Sequence, residues 1–392
     1  MAQLPRVLVA LGSGNLGAVN ATMDGVAGLV LSGTAVEGKI ALNEAKQIFS
    51  LKDLDPLGIT SENNELAYKD VKAFYQVAGD GAELWMILFS DSMNLADVVD
   101  GAEADRPVSK LLDAASGRIR LLGCNKKLPS GYVPTATNGI DQDVENALVK
   151  LQANLNSYAT QYKPVRAFLP GLAWIGSGEG LVNLRQNSQN RCAVVLGADT
   201  PDGLAAIGLT LGVAASRQVH RNIGRVKDGA VLATAWLTDG SNAGAKENLW
   251  PLLHENGFIF FRSYQGKNGF YFNDDPMCAP ASDDYASLAL GRVIDKAIVI
   301  AYTTYVDELL DNVEIDQAGK LPASTCKYFE GRINNAVNSL MAGEISNFRS
   351  FVDPDQNVLS TSRLAVVGGI TPLGTLREIV FNLGFENPAL EQ

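Results

Sequence analysis

The chain carries RVLVAL (Arg6–Leu11) running straight into GSGNLG (Gly12–Gly17), and a second apolar run, GLVL (Gly28–Leu31), leading into GTAVEGK (Gly33–Lys39). The first combination spells G-x-G-x-x-G after a strand and the second spells G-x-x-x-x-G-K. Both are nucleotide-binding signatures. If either holds, the chain is a dinucleotide enzyme or an NTPase. If neither does, the same glycines mark turns.

A dinucleotide site needs a strand, a tight turn, a helix whose free N–H groups face the pyrophosphate, and an acid about 20 residues on. The strand is legible. The helix is not, because Asn15–Leu31 contains Gly17, Gly25 and Gly28, and each interior Gly costs a helix about 1 kcal/mol against Ala. Asn20, Thr22 and Asp24 favour caps and turns. Glu37 follows Gly33 instead of ending a second strand. The second signature fails at Ile40, which stands where a hydroxyl must ligate Mg²⁺. The chain holds 38 glycines in 392 residues, so such patterns arise readily by chance. The glycines read as turn positions, where positive φ is wanted.

Composition narrows the classes further. Hydrophobic content of 46% and charged content of 19% describe a well-packed globular protein of two or three domains, or one large domain with elaborations. A net charge of −11 argues against nucleic acid as a partner, because phosphate binding needs a basic footprint. Lys126-Lys127 is the only basic doublet. The start MAQLPRVLVALGSG has no basic stretch before a long apolar one, so no secretory leader is expected. No apolar stretch approaches the length of a membrane span, so no direct membrane insertion is expected. Cys124, Cys192, Cys278 and Cys326 are scattered and read as reduced core residues of a cytoplasmic protein. His220 and His254 have no Cys or His at ligand spacing, so no metal site is expected.

From Leu66 onward, helix and strand alternate. Leu66–Ala78, Val108–Ala115, Asp141–Tyr158 and Leu204–Gln218 read as helices. Glu83–Phe89, Arg118–Cys124, Val165–Leu169, Cys192–Leu196 and Val231–Trp236 read as strands. Lys246–Glu255 reads as helix, and Phe258–Tyr264 with Gly269–Asn273 as a hairpin. Asp284–Asp311 and Ser324–Met341 follow as two longer helices, and Asn347–Val352, Ser362–Val367 and Thr375–Leu383 as strands. The expected fold class is α/β (mixed α+β): a compact α/β core with a mixed sheet, a C-terminal β segment, and extended N- and C-terminal β arms.

Chemistry is hard to assemble from these residues. Asp274-Asp275, Asp283-Asp284 and Asp307-Glu308 are acidic pairs, but neighbouring acids usually form solvated faces or caps, and Asp283 and Asp284 stand where the long helix is expected to begin. There is no G-x-S-x-G elbow, and Gly171–Gly180 reads as a turn. No nucleophile, base and oxyanion donor converge. The expectation is a non-enzyme with no catalytic, cofactor-binding or metal residues and no cofactor.

Several stretches resemble contractile tail-sheath proteins of phages and related injection systems. Gly25–Gly33 (GVAGLVLSG) followed by Phe49–Leu57 (FSLKDLDPL) looks like their entry region, and Phe74–Phe89 (FYQVAGDGAELWMILF) is similar to their helix–Gly–strand unit. Asn268–Asp274, Asn347–Pro354 and Arg363–Phe381 resemble their C-terminal third. The resemblance spans most of the chain through apolar and glycine positions.

The resemblance implies a structural subunit that polymerises with itself as stacked hexameric rings around an inner tail-tube protein and contracts to drive the tube through a target envelope. Baseplate and tail-terminator proteins are implied as further partners, with assembly in the bacterial cytoplasm. It also implies a division into an N-terminal arm and hinge over 1–19, a sheath core over 20–360 (two subdomains near 20–200 and 201–360), and C-terminal strands and arm over 361–392. The inter-subunit arm residues would be Val7, Leu8, Val9 and Leu11 with Leu376, Ile379, Val380 and Phe381. Gly12, Gly14 and Gly17 would form the hinge. Lys327 and Arg332 would face the tube. The competing readings are a nucleotide-dependent α/β enzyme using Gly12–Gly17 and a non-contractile phage structural protein.

Overall fold

The computed structural model describes residues 23–385. The arm residues Val7–Leu11 and the hinge glycines Gly12, Gly14 and Gly17 lie outside that range. The chain forms two compact units, Met1–Asp311 and Asn312–Gln392.

The first unit is built on a six-stranded sheet in the order β2-β3-β1-β4-β5-β6. Its strands are β1 (Ala27–Ser32), β2 (Lys46–Ile48), β3 (Leu84–Phe89), β4 (Leu121–Asn125), β5 (Arg166–Pro170) and β6 (Cys192–Val195). All pairs are parallel except β2 on β3, which makes the sheet mixed. Runs such as LWMILF in β3 and AGLVLS in β1 are apolar without alternation because both faces of the strand are covered. The coverings are α1 (Glu65–Ala78), the short α2 (Leu95–Val98), α3 (Pro107–Ala114), α4 (Gln142–Thr160) and α5 (Ile207–Ser216). Helix α5 packs on α1 at backbone distance. A Cβ on Gly208 would lie 2.1 Å from the Asp70 carbonyl oxygen, so only glycine fits there.

Beyond the sheet come two-residue pairs, β7 (Gly197–Ala198) with β8 (Trp236–Leu237) and β9 (Phe261–Arg262) with β10 (Tyr271–Phe272), and the helix α6 (Trp250–Glu255). The expected hairpin at 258–273 is the β9–β10 pair. The expected strand Val231–Trp236 shrinks to β8 and a single bridge from Leu232 to Phe270, since the rest of its backbone finds no ladder. Helix α7 (Leu288–Tyr305) begins later than Asp284 because its cap is Ser287, whose hydroxyl accepts the Leu290 N–H, while Asp275 accepts the Ala289 N–H. Asp283 instead closes the preceding turn on the Tyr285 N–H. Buried Arg166 on β5 clamps α7 through Asp295, with Nε–Oδ2 at 2.6 Å.

The glycine signature at 33–39 is the turn after β1. The Val36 N–H donates to the Ile40 carbonyl, Gly38 takes a φ of 69°, and the chain continues toward β2, where a phosphate loop would open a helix. At the carboxyl ends of β1 and β4, where open α/β sheets bind ligands, the polar side chains are turned on one another. Asn125 donates to Asp70 and to the Ala205 carbonyl, and buried Lys126 lies 3.9 Å from Asp143 and over the Tyr132 ring.

The second unit holds α8 (Ala323–Leu340), β11 (Ile345–Val352), the one-turn α9 (Val358–Thr361) and β12 (Val366–Pro372), with β11 and β12 antiparallel. The expected strand Thr375–Leu383 is absent: the chain after Pro372 is irregular to Phe385. A strand exists only where its backbone has a ladder partner, and this segment has none among the described residues. No helix among the described residues is long and apolar enough to cross a membrane.

Candidate assembly surface

Helix α8 sets the geometry of the second unit. Cys326, Phe329, Ile333 and Val337 recur at helical spacing and are buried. They pack on β11, whose inward residues are Ile345, Phe348 and Val352. Beside this apolar stripe runs a polar one, Glu330, Asn334 and Asn338, each four residues from the next.

The polar stripe closes one edge of β11. The Val352 N–H donates to Glu330 Oε1 at 3.0 Å, the Ser350 N–H to Asn334 Oδ1 at 2.9 Å, and Asn338 Nδ2 to the Phe348 carbonyl at 3.2 Å. Residues 348, 350 and 352 therefore turn their backbone away from β12, and residues 347, 349 and 351 turn theirs toward it. The register pairs Asn347 with Thr371, Arg349 with Gly369, and Phe351 with Val367. In an antiparallel ladder, the backbone groups of two facing residues either both point at each other or both point away. It follows that Val366, Gly368 and Ile370 present their backbone groups outward from β12, and that the open edge of this two-stranded sheet is β12.

Apolar surface surrounds that open edge. Phe351 and Val367, opposite each other in the register, are both more than half exposed. Past Pro372, the arm residues Leu376, Ile379, Val380 and Phe381 stand in solvent together with Leu383 and Phe385, with Ile379 and Phe381 each 80% exposed. A two-stranded sheet is marginal in water, and an exposed edge beside apolar residues is a template for another chain.

The residues expected to face a tube are already engaged on α8. Lys327 bonds Glu330 and, together with the Val352 N–H, holds that carboxyl below the usual carboxylate range. Arg332 donates to the Tyr328 hydroxyl at 3.2 Å and lies over its ring. The open edge of β12 was not legible in the sequence. The signal for it is the Glu330/Asn334/Asn338 stripe, whose i, i+4 spacing beside an apolar stripe marks a helix face turned to backbone.

The DUF2586 N-terminal domain matches residues 4–276, and the DUF2586 C-terminal domain matches residues 284–390. The chain belongs to the DUF2586 family. A sequence comparison of this DUF2586 member with curated proteins gave no match. Its fold is that of contractile sheath subunits. It is similar to the helical sheath of the anti-feeding prophage in its contracted state, with a TM-score of 0.64 at 14% identity over 98% of this chain and 100% of the other. It is similar to the contracted sheath of PVC, an extracellular contractile injection system, with a TM-score of 0.59 at 14% identity over 98% of each chain. The sheath tail protein of Desulfitobacterium hafniense aligns with a TM-score of 0.54 at 10% identity over 94% of this DUF2586 chain and 100% of that one. The expected α/β class with a mixed sheet and the resemblance to sheath proteins are borne out at the level of fold.

Proposed function

We propose that the chain is a structural, non-enzymatic subunit of a contractile tail sheath. The observation that carries this reading is the open edge of β12 lying next in sequence to an arm of unburied apolar residues. Such an arm is a hazard in a lone molecule and a joint in a lattice. The fold shared with contracted sheath subunits over nearly the whole chain supports the same reading.

In this proposal, subunits stack as hexameric rings around an inner tube, with baseplate and terminator proteins at the ends. The arm at 375–383 of one subunit adds to the β12 edge of a neighbour, and the N-terminal run Val7–Leu11 contributes a second joint. Residues 20–360 move as the core between the 1–19 and 361–392 arms, and Gly12, Gly14 and Gly17 allow the N-terminal joint to swing. Main-chain bonds hold whatever the side-chain environment, so subunits stay linked while their cores rotate and repack. No nucleotide is consumed, because the free energy resides in the extended lattice. Lys327 and Arg332 turn toward the tube. Assembly takes place in the cytoplasm of the host.

Negative-stain electron microscopy of the purified chain tests this. Hollow striated tubes are expected. Discrete oligomers with bound NAD or flavin would overturn the reading in favour of an enzyme. Tubes that keep one helical pitch under contraction-inducing conditions would identify a non-contractile structural protein instead.

A further inference from the structure

Two recesses lie side by side on α7. The first is small and polar, lined by Asp24, Pro164, Arg292, Asp295 and Lys296. The second is an open cleft of about 390 Å³ between α7 and the turn after α4, lined by Tyr162, Ile298, Tyr302, Tyr305 and Leu309. Among the described residues, no charged side chain lines the cleft. The Tyr162 and Tyr302 rings stack 4.1 Å apart at 17°, yet they are 48% and 42% exposed, and Leu309 is 69% exposed. Tyr162 adopts a φ of 62° in the turn that ends α4. That conformation closes the helix: the Tyr162 N–H donates to the Ala159 carbonyl and the Lys163 N–H to the Tyr158 carbonyl, which fixes the Tyr162 ring at the mouth of the cleft.

We propose that this cleft holds residues Val7–Leu11 of the same chain in the unassembled subunit. The length fits: five extended residues span about 17 Å, and the path from Ile298 along the end of α7 and through the 3-10 turn to Leu309 is about 19 Å. The chemistry fits, because VLVAL carries no charge. The tether fits too. Asp24 is fixed beside the cleft by Lys296 at 2.9 Å, and its carbonyl accepts from Arg292. Between Leu11 and that anchor lies GSGNLGAVNATM (Gly12–Met23), and a tether of this length and composition has a root-mean-square span of about 19 Å. Lys296, which holds the anchor, stands two residues from Ile298 on α7, so a tether of this span reaches the cleft without being stretched. With Leu11 near Ile298, Arg6 reaches the far end of the cleft beside exposed Asp307, an opposite charge.

Parking the N-terminal run in this way withholds an unpaired strand from other edges until a neighbour offers a better one. That release step rests on the sheath reading, whereas occupancy of the cleft does not. The test is a Val9→Cys/Tyr302→Cys double variant of the full chain, oxidised with glutathione disulfide at a concentration where the protein is monomeric. The native cysteines are buried. The expected product is an intrachain disulfide whose yield does not depend on protein concentration. Dimers that grow with concentration would place a second copy in the cleft and overturn the proposal. So would a crosslink from Ile379→Cys to Tyr302→Cys in its stead, which would make the C-terminal arm the occupant. Deletion of residues 2–17 is expected to raise binding of the dye 1-anilinonaphthalene-8-sulfonate at least twofold. Equal dye binding by the full and shortened chains would show an empty cleft, with the sheath function untouched.

Discussion

Asn334 and Ser350 fix which edge of the second unit is closed. One side-chain oxygen of Asn334 accepts both the Ser350 N–H at 2.9 Å and the Ser350 hydroxyl at 3.1 Å. With Glu330 and Asn338 on the same helix face, it occupies the backbone of β11 that would otherwise be free.

Asn334→Ala leaves the Ser350 N–H without its acceptor. The expected cost is about 1–3 kcal/mol in chemical denaturation, since a lost partner exposes the full desolvation penalty of the group left behind. Amide exchange at Ser350 should accelerate while that of Arg349, bonded to β12, changes less. Unchanged exchange at Ser350 would mean that α8 does not close this edge.

The β12 edge predicts a separation of folding from assembly. Ile370 turns its N–H outward, so Ile370→Pro removes a donor that the internal ladder does not use, and proline is tolerated on edge strands. The monomer should keep its circular dichroism spectrum and lose tube formation. Normal tubes from this variant would remove β12 as the joint.

Deleting residues 380–392 takes away Val380, Phe381 and the apolar residues after them. These are exposed over the described part of that segment, so the monomer should unfold at the same denaturant concentration. Polymerisation should be abolished by sedimentation. Sheaths of normal length from the truncated chain would sink the arm assignment.

Gly208 sets two effects against each other. Helix propensity alone favours Gly208→Ala by about 1 kcal/mol. The added Cβ would meet the Asp70 carbonyl oxygen at 2.1 Å, and overpacking of this kind costs about 1–3 kcal/mol or more. Contact between α1 and α5 backbones wins, so the variant should be less stable. A gain in thermal midpoint would contradict the close approach.

Asp70 gives the fold a pH dependence. Burial pushes its carboxyl from the ordinary 3.8 up to about 7, against the opposing hydrogen bonds from Asn125 and Gly208 and the charge of Lys69. The folded state thus keeps a proton that the unfolded chain has released. The associated stability is present below pH ~4 and is lost as pH rises toward and through about 7. Denaturation midpoints at pH 5 and pH 8 should differ more in the wild type than in Asp70→Asn, which has no proton to lose. Equal differences would assign the dependence to other groups.

Much of the first unit is legible from periodicity. The unbroken apolar run at Leu84–Phe89 announces a strand covered on both faces, and the amphipathic pattern from Asp141 announces α4 with its acidic first turn. The glycines at 33–39 could be judged turns because Ile40 offers no oxygen. What failed were segments whose state depends on a distant partner. Val231–Trp236 has the composition of a strand but almost no ladder, and Thr375–Leu383 has the pattern of a strand with no partner among the described residues. The start of α7 was misplaced because its cap comes from Ser287 together with Asp275, twelve residues upstream of that cap.

The candidate site divides in the same way. The apolar character of Leu376, Ile379, Val380 and Phe381 is a property of the sequence, and the resemblance to sheath proteins is what marked them as an inter-subunit arm. Which edge can receive such a partner was decided only in the tertiary structure, where Glu330, Asn334 and Asn338 reach strand residues that follow them in the chain. The cleft at Tyr162 and Tyr302 has the same origin, joining the turn after α4 to a helix far along the chain. Hydrophobic periodicity is local and is written in the sequence. Whether a backbone group is satisfied or an aromatic ring is covered depends on residues that only folding brings near.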